Sequence, residues 1–277
     1  MSEEFTAAEK RRLEKRVRAE RVMGDNGHLF DHPVPAELLT PYSNGDNTEL
    51  EQIRVQRKYI NRANNIRRCW NRFQLYLPEL MYPEEPQDIF EMSTAHGGML
   101  EVARHFGHTV LGSDFPNMLN NKQTELASTH RRLNDETFVC ETDNHGIQIP
   151  KDHKVHDWPY RPIIEAIDIP MTLFDAGRTP YPLADKSKDV LICMQSIEHY
   201  CHPQDWMLIL DEFCRITRKT ILIMLNPVIG HFANDPFYTE CFEKARHDLH
   251  MYRRNGFRTT SCHIQWSQVL VFKITAV

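Results

Sequence analysis

The chain has no C-x-x-C pair. Its seven cysteines, Cys69, Cys140, Cys193, Cys201, Cys214, Cys241 and Cys262, are dispersed and odd in number. That excludes a compact zinc ribbon, argues against a disulfide framework, and reads as reduced thiols in a cytoplasmic protein. No apolar run approaches membrane-spanning length, and the charged stretch from Glu3 to Arg21 has no apolar signal core. Cations are not in excess either: 33 Lys and Arg against 38 Asp and Glu leave a formal charge of −5. General nucleic-acid binding needs clustered cations, so this balance argues against it while leaving room for a local basic patch. No G-x-G-x-x-G follows a predicted strand, which counts against a nicotinamide dinucleotide enzyme. No internal repeat or low-complexity segment is present.

What is there suits one substantial core with an elaboration: 277 residues, 41% hydrophobic and 26% charged. Residues 3–23 are rich in helix formers, and Gly24 to Asn47 reads as loop. A second helical pattern runs from about Thr48 to Leu80, with Ile53, Ile60, Ile66, Trp70 and Phe73 on an apolar stripe. Arg54, Arg57, Lys58, Arg62, Arg67, Arg68 and Arg72 make its other faces basic. Trp70 and Phe73 could stack on nucleic-acid bases, but their place on the stripe favours burial and a cap over a cleft.

From Asp88 onward short apolar strands alternate with helices. Strands are expected at Asp88–Met92, Thr109–Gly112, Met171–Phe174, Val190–Met194 and Ile221–Leu225. Helices are expected at Met99–Phe106, Asn117–Leu133, Pro162–Ile167, Gln204–Arg215 and Pro236–Asn255, the last stopped by Gly256. Phe257–Gln265 and Gln268–Thr275 read as a closing strand pair. Such alternation predicts a mostly parallel sheet with helices on both faces.

The run Leu173 to His199 is the most informative stretch. It reads as strand end, Pro-rich turn, second buried strand and polar strand tip. Asp175 and Gln195-Ser196-Ile197-Glu198-His199 thereby fall at the carboxyl ends of neighbouring strands, where open α/β sheets bind ligands. The stretch resembles the middle of a class I S-adenosylmethionine-dependent methyltransferase, and the element order of 88–275 is similar to that family. The resemblance implies a doubly wound, mostly parallel seven-stranded α/β sheet with an antiparallel C-terminal strand. It implies a methyltransferase domain over 88–277 with an insertion around 116–168, preceded by an N-terminal helical extension or cap over 1–87.

The resemblance also implies a site. Glu91 takes the acidic place ending the first strand, and Ser93, Ala95 and Gly97 take the three glycine places of the turn that follows. Only positions needing positive φ demand glycine, and all three residues are small. Asp114 would accept both ribose hydroxyls, with Phe115 against the adenine ring. Asp175 and Ala176 fall on the adenine side and Gln195 on the methionine side. His199 is a candidate general base; alternatively, Glu198 and His199 cap the following helix or bond loop backbone. Asp143, His145, His153, His156 and Asp157 match no compact metal-ligand spacing and read as a solvated insertion. Asn226-Pro227 reads as a strand-ending turn. The implied cofactor is S-adenosylmethionine and the implied acceptor a small molecule or glycan-like compound. The alternative is a non-catalytic binding or scaffold protein that keeps the fold.

Overall fold

A computed structural model describes residues 33–42, 60–115, 128–138, 140–142, 148–150, 160–230, 232–265 and 269–277. The seven expected strands and one more form one sheet among the described residues: β1 (Asp88–Met92), β2 (Thr109–Asp114), β3 (Met171–Leu173), β4 (Lys188–Met194), β5 (Thr217–Leu225), β6 (Arg253–Arg254), β7 (Phe257–Ile264) and β8 (Leu270–Ala276). Their spatial order is β3-β2-β1-β4-β5-β8-β7-β6. The first five run parallel, with β1 flanked by β2 and β4. β8 is antiparallel to both β5 and β7, and the link that joins it to β7 is too short for a parallel crossover. A separate two-stranded ribbon pairs Cys140–Thr142 with Gln148–Pro150.

The doubly wound α/β architecture is therefore as expected, with one strand more than the seven anticipated. The extra strand, β6, arises where the last helix was expected to continue. That helix ends at His250, and Asn255 and Gly256, both at positive φ, make a tight turn joining β6 to β7. Gly256 is thus a hairpin residue rather than a helix stop. The helices expected at 3–23 and over 48–59, and most of Asn117–Leu133, lie outside the described residues.

Strand residues alternate between two apolar layers, as a period of two requires. Ile89, Val190, Ile192, Leu222 and Met224 face one layer; Phe90, Leu191, Cys193, Ile221 and Ile223 face the other. The first layer is covered by α1 (Arg62–Tyr76), α2 (Gly98–His105) and α3 (Arg161–Ala166). The second is covered by α4 (Trp206–Ile216) and α5 (Pro236–His250).

Asn61 starts α1 by accepting a hydrogen bond from Asn64 N–H at 3.2 Å. Ile66, Trp70 and Phe73 recur at helical spacing and are all buried. Trp70 and Phe73 stack on Phe106, with ring centroids 5.2 and 5.5 Å apart. These rings are core residues and offer no face for a base to stack on. α1 is also pinned by a buried ion pair in which Arg62 grips both carboxylate oxygens of Glu101 on α2, while its Nε donates to Thr40 O at 2.6 Å.

Removing one partner of a buried pair leaves an uncompensated charge, typically about 3–5 kcal/mol. Glu101→Ala should therefore lower stability by about 3 kcal/mol in urea unfolding. The double variant Arg62→Met/Glu101→Leu should recover most of that loss.

Candidate active site

The carboxyl ends of β1 to β5 open onto a cavity of about 380 Å³. Its first wall is the turn between β1 and α2. Ser93, Ala95 and Gly97 have φ of 53°, 50° and 74°, so all three glycine-like places are left-handed. At Gly97 a side chain would be strained by the left-handed backbone and would crowd Ile167 Cδ1, which would lie 2.5 Å from an added Cβ. Gly97 therefore supports the turn from behind α3's side and does not line the cavity, whereas Ser93 and Ala95 do. Thr94 fastens the turn to β2: its N–H donates to Ser113 O at 2.8 Å, and its hydroxyl accepts from Ser113 N–H at 3.2 Å. Ser93 Oγ lies 2.9 Å from Tyr200 Oη, which donates to Ser196 Oγ at 3.0 Å. Those hydroxyls tie the turn to the end of β4.

Asp114 ends β2 with its carboxylate in the cavity. It accepts from Ala95 N–H at 3.3 Å and from Phe115 N–H at 2.8 Å, which orients both oxygens. Phe115 is buried on the same wall. Glu91, at 5% exposure, contributes a second carboxylate, whose Oε2 is buried without a hydrogen-bond partner. Burial, and secondarily the charge of Asp114, push the Glu91 carboxyl well above the usual range; Arg72 opposes them.

Asp175 and Ala176 also line the cavity. The Asp175 carboxylate is gripped through both oxygens by Arg131, with one Nη1–Oδ2 contact of 2.7 Å, and accepts from Gly177 N–H at 2.9 Å. Arg131 further donates to Tyr200 O at 2.9 Å and lies over the Phe138 ring. Gly177 makes room for it, because a Cβ there would meet Arg131 Nη2 at 2.1 Å. Sequence reasoning missed Arg131. Its only local signal is the Arg131-Arg132 pair, and the second member clamps Asp205 at 2.6 Å.

Gln195 follows β4 at positive φ, 56°, which turns its side chain across the cavity rim. It accepts from Arg72 at 3.0 Å and donates to Asn226 Oδ1 at 2.6 Å. His199 lines the same cavity from a short 3₁₀ turn, Ile197–His199. Its neighbour Glu198 points away into the protein, fully buried, and accepts from Asn226 N–H. The two residues thus divide the alternatives between them, Glu198 bonding loop backbone and His199 facing the cavity. Asn226 is likewise held as part of the rim. Two further arginines, Arg68 and Arg72 from α1, complete the wall beside His96 and Cys69. They were legible only as members of a basic face.

Nine of the ten residues singled out from sequence therefore share one cavity: Glu91, Ser93, Ala95, Asp114, Phe115, Asp175, Ala176, Gln195 and His199. Among the described residues no group of His, Cys, Asp and Glu is disposed to hold a metal ion, and no helix is long and apolar enough to cross a membrane. The polar loop Asp143 to Asp157 lies largely outside the described residues.

No protein-family model matches the chain, and no curated protein matches it. Among solved structures, it is similar to a protein of Pyrococcus horikoshii OT3 (11% identity, 84% of this chain and 100% of the other, TM-score 0.47). It is also similar to magnesium protoporphyrin IX methyltransferase from Synechocystis PCC 6803 with bound SAM (12%, 85% and 94%, TM-score 0.44). A SAM-dependent methyltransferase from Methanosarcina mazei is a third (12%, 73% and 98%, TM-score 0.45).

The turn and the buried carboxyl each generate a measurement. A non-glycine residue in the left-handed region costs about 1–2 kcal/mol, offset in part by glycine's larger unfolded-state entropy. Ala95→Gly should consequently stabilise the protein by roughly 0.5–1 kcal/mol in urea unfolding. Glu91, with its carboxyl raised on folding, favours the native state when protonated; that contribution is complete below the unfolded value and lost as pH rises through the folded one. Glu91→Gln, which mimics the protonated form, should therefore melt higher than wild type at neutral pH. The difference should vanish below the usual carboxylate range.

Proposed function

We propose that the protein is an S-adenosylmethionine-dependent methyltransferase acting on a small-molecule or glycan-like acceptor. The observation that carries this reading is the convergence on one cavity of a strained small-residue turn, the oriented Asp114 carboxylate and the unpartnered Glu91 oxygen. Each fits a different part of the cofactor. Asp114 accepts the two ribose hydroxyls, the small turn at Ser93 and Ala95 permits close backbone approach, and Glu91 receives the cationic amino group. Phe115 and Ala176 supply the apolar walls for adenine, and the Arg131-bound Asp175 fixes the shape of that end. Gln195 borders the methionine side.

The bound cofactor supplies a methyl group on a sulfonium centre. The chain's task is to align the acceptor and, where the acceptor carries a proton, to remove it. We assign the removal of that proton to His199, which lines the cavity. The size of the cavity and the net charge of −5 favour a small acceptor over a nucleic acid.

Calorimetric titration with S-adenosylmethionine and with S-adenosylhomocysteine tests the reading. Both should bind, and Asp114→Ala should weaken each by about 10- to 100-fold, the usual range for losing hydrogen bonds to a charged group. No binding of either at millimolar concentration would sink the proposal. Binding without turnover on any acceptor would leave the non-catalytic alternative in possession. His199→Ala should lower kcat by about 10²-fold or more, and unchanged turnover removes His199 from the chemistry.

A further inference from the structure

Arg68 and Arg72 lie one turn apart on α1, the i, i+4 spacing that puts two side chains on one face, and both line the cavity. Arg68 Nη2 donates to Asn65 Oδ1 at 2.9 Å and lies 3.3 Å from His96 Nε2. Arg72 Nη2 donates to Gln195 Oε1 at 3.0 Å. The Nε of each is buried without a hydrogen-bond partner, and neither guanidinium forms an ion pair among the described residues. Arg131, the third arginine of the cavity, is by contrast fully matched to Asp175.

Arg68 and Arg72 are half-buried adjacent cations that repel each other, and Glu91 offsets Arg72 without a salt bridge to it among the described residues. Burial, and next the neighbouring Arg68, hold the Arg72 guanidinium down at about 10. His96 cannot help as an anion: it accepts from Gly98 N–H through Nδ1 at 3.0 Å, so its proton sits on Nε2 beside Arg68. Burial and the two arginines hold its pKa down to about 3, so it is neutral. The wall thus presents N–H donors and positive charge to the cavity, offset in part by Glu91.

We infer that Arg68 and Arg72 form an oxyanion subsite that takes a carboxylate or phosphate group of a ligand bound in the cavity. Guanidinium forks match both planar and tetrahedral oxyanions. The group has two possible sources, an acidic substituent of the acceptor or the carboxylate of the cofactor's amino-acid arm. Its identity rests on the methyltransferase reading; the two guanidinium forks on the cavity wall do not.

The test is calorimetry on wild type, Arg68→Gln, Arg72→Gln and the double variant, with three probes. These are inorganic phosphate, S-adenosylhomocysteine, and 5′-methylthioadenosine, which lacks the amino-acid arm. Phosphate should bind the free wild-type protein and lose about 10-fold or more of its affinity in the double variant. If the cofactor supplies the anion, S-adenosylhomocysteine weakens by about 10- to 100-fold in the variants while 5′-methylthioadenosine is unchanged. If the acceptor supplies it, S-adenosylhomocysteine is unchanged, and phosphate still binds the wild-type protein saturated with it. Equal affinity of wild type and double variant for both anionic probes overturns the subsite. Should neither nucleoside bind any variant, the methyltransferase reading fails, while arginine-dependent phosphate binding still upholds the subsite. Loss of binding with a lowered melting temperature is resolved by the pair Arg68→Lys/Arg72→Lys. Restored phosphate affinity there supports the subsite, and no restoration in a cooperatively melting protein refutes it.

Discussion

The reversal between β1 and α2 is the constraint on which the site depends. The chain leaves the sheet at Met92 and must start a helix at Gly98, with three left-handed residues between. That sharpness brings Ala95 N–H onto Asp114 and Ser93 onto Tyr200, so three strand ends are locked to one short loop. A wider loop would fill the space between the strand tips. The small side chains at Ser93 and Ala95 follow from this geometry, and their strain is held by Thr94, whose hydrogen bonds lie on the sheet side.

Much of this was legible because the governing patterns are local. Alternation of apolar residues identified the strands, and the distance from Gly97 to Asp114 suits one helix and one strand. Asp114 could therefore be placed without coordinates. The partner of Asp175 could not be: Arg131 lies 44 positions earlier, and nothing in its neighbourhood marks a contact that far along the chain. The same holds for Arg68 and Arg72, whose spacing reports a shared helix face but not what that face meets. Gly256 shows a different kind of miss. A glycine after a helical pattern reads as a stop, yet five residues of turn and strand separate it from His250, and the hairpin turn uses the same backbone freedom.

Charge is distributed unevenly through the molecule. The two apolar layers on either side of the sheet are closely packed with rings and branched chains. Unfavourable ionisation gathers around the cavity, where burial raises the carboxyls of Glu91 and Glu198 at the strand ends and lowers Arg72 on α1. A protein selected for stability alone would not keep such groups there, and strained backbone at the same place points the same way. The favourable packing of the layers offsets these local costs.

The position of β8 has a consequence for how the molecule assembles. It is not an edge strand: it lies between β5 and β7, although both precede it in sequence. During synthesis, then, β5 and β7 emerge first with exposed pairing edges and must remain apart until Leu270–Ala276 has left the ribosome. Direct pairing of β5 with β7 would shut the last strand out. The second apolar layer, to which Phe272 and Ile274 belong, closes only when that strand slots in. Folding of the sheet's far half is in this sense deferred until the strand arrives, while β1 to β4, which carry most of the cavity, can pair without it.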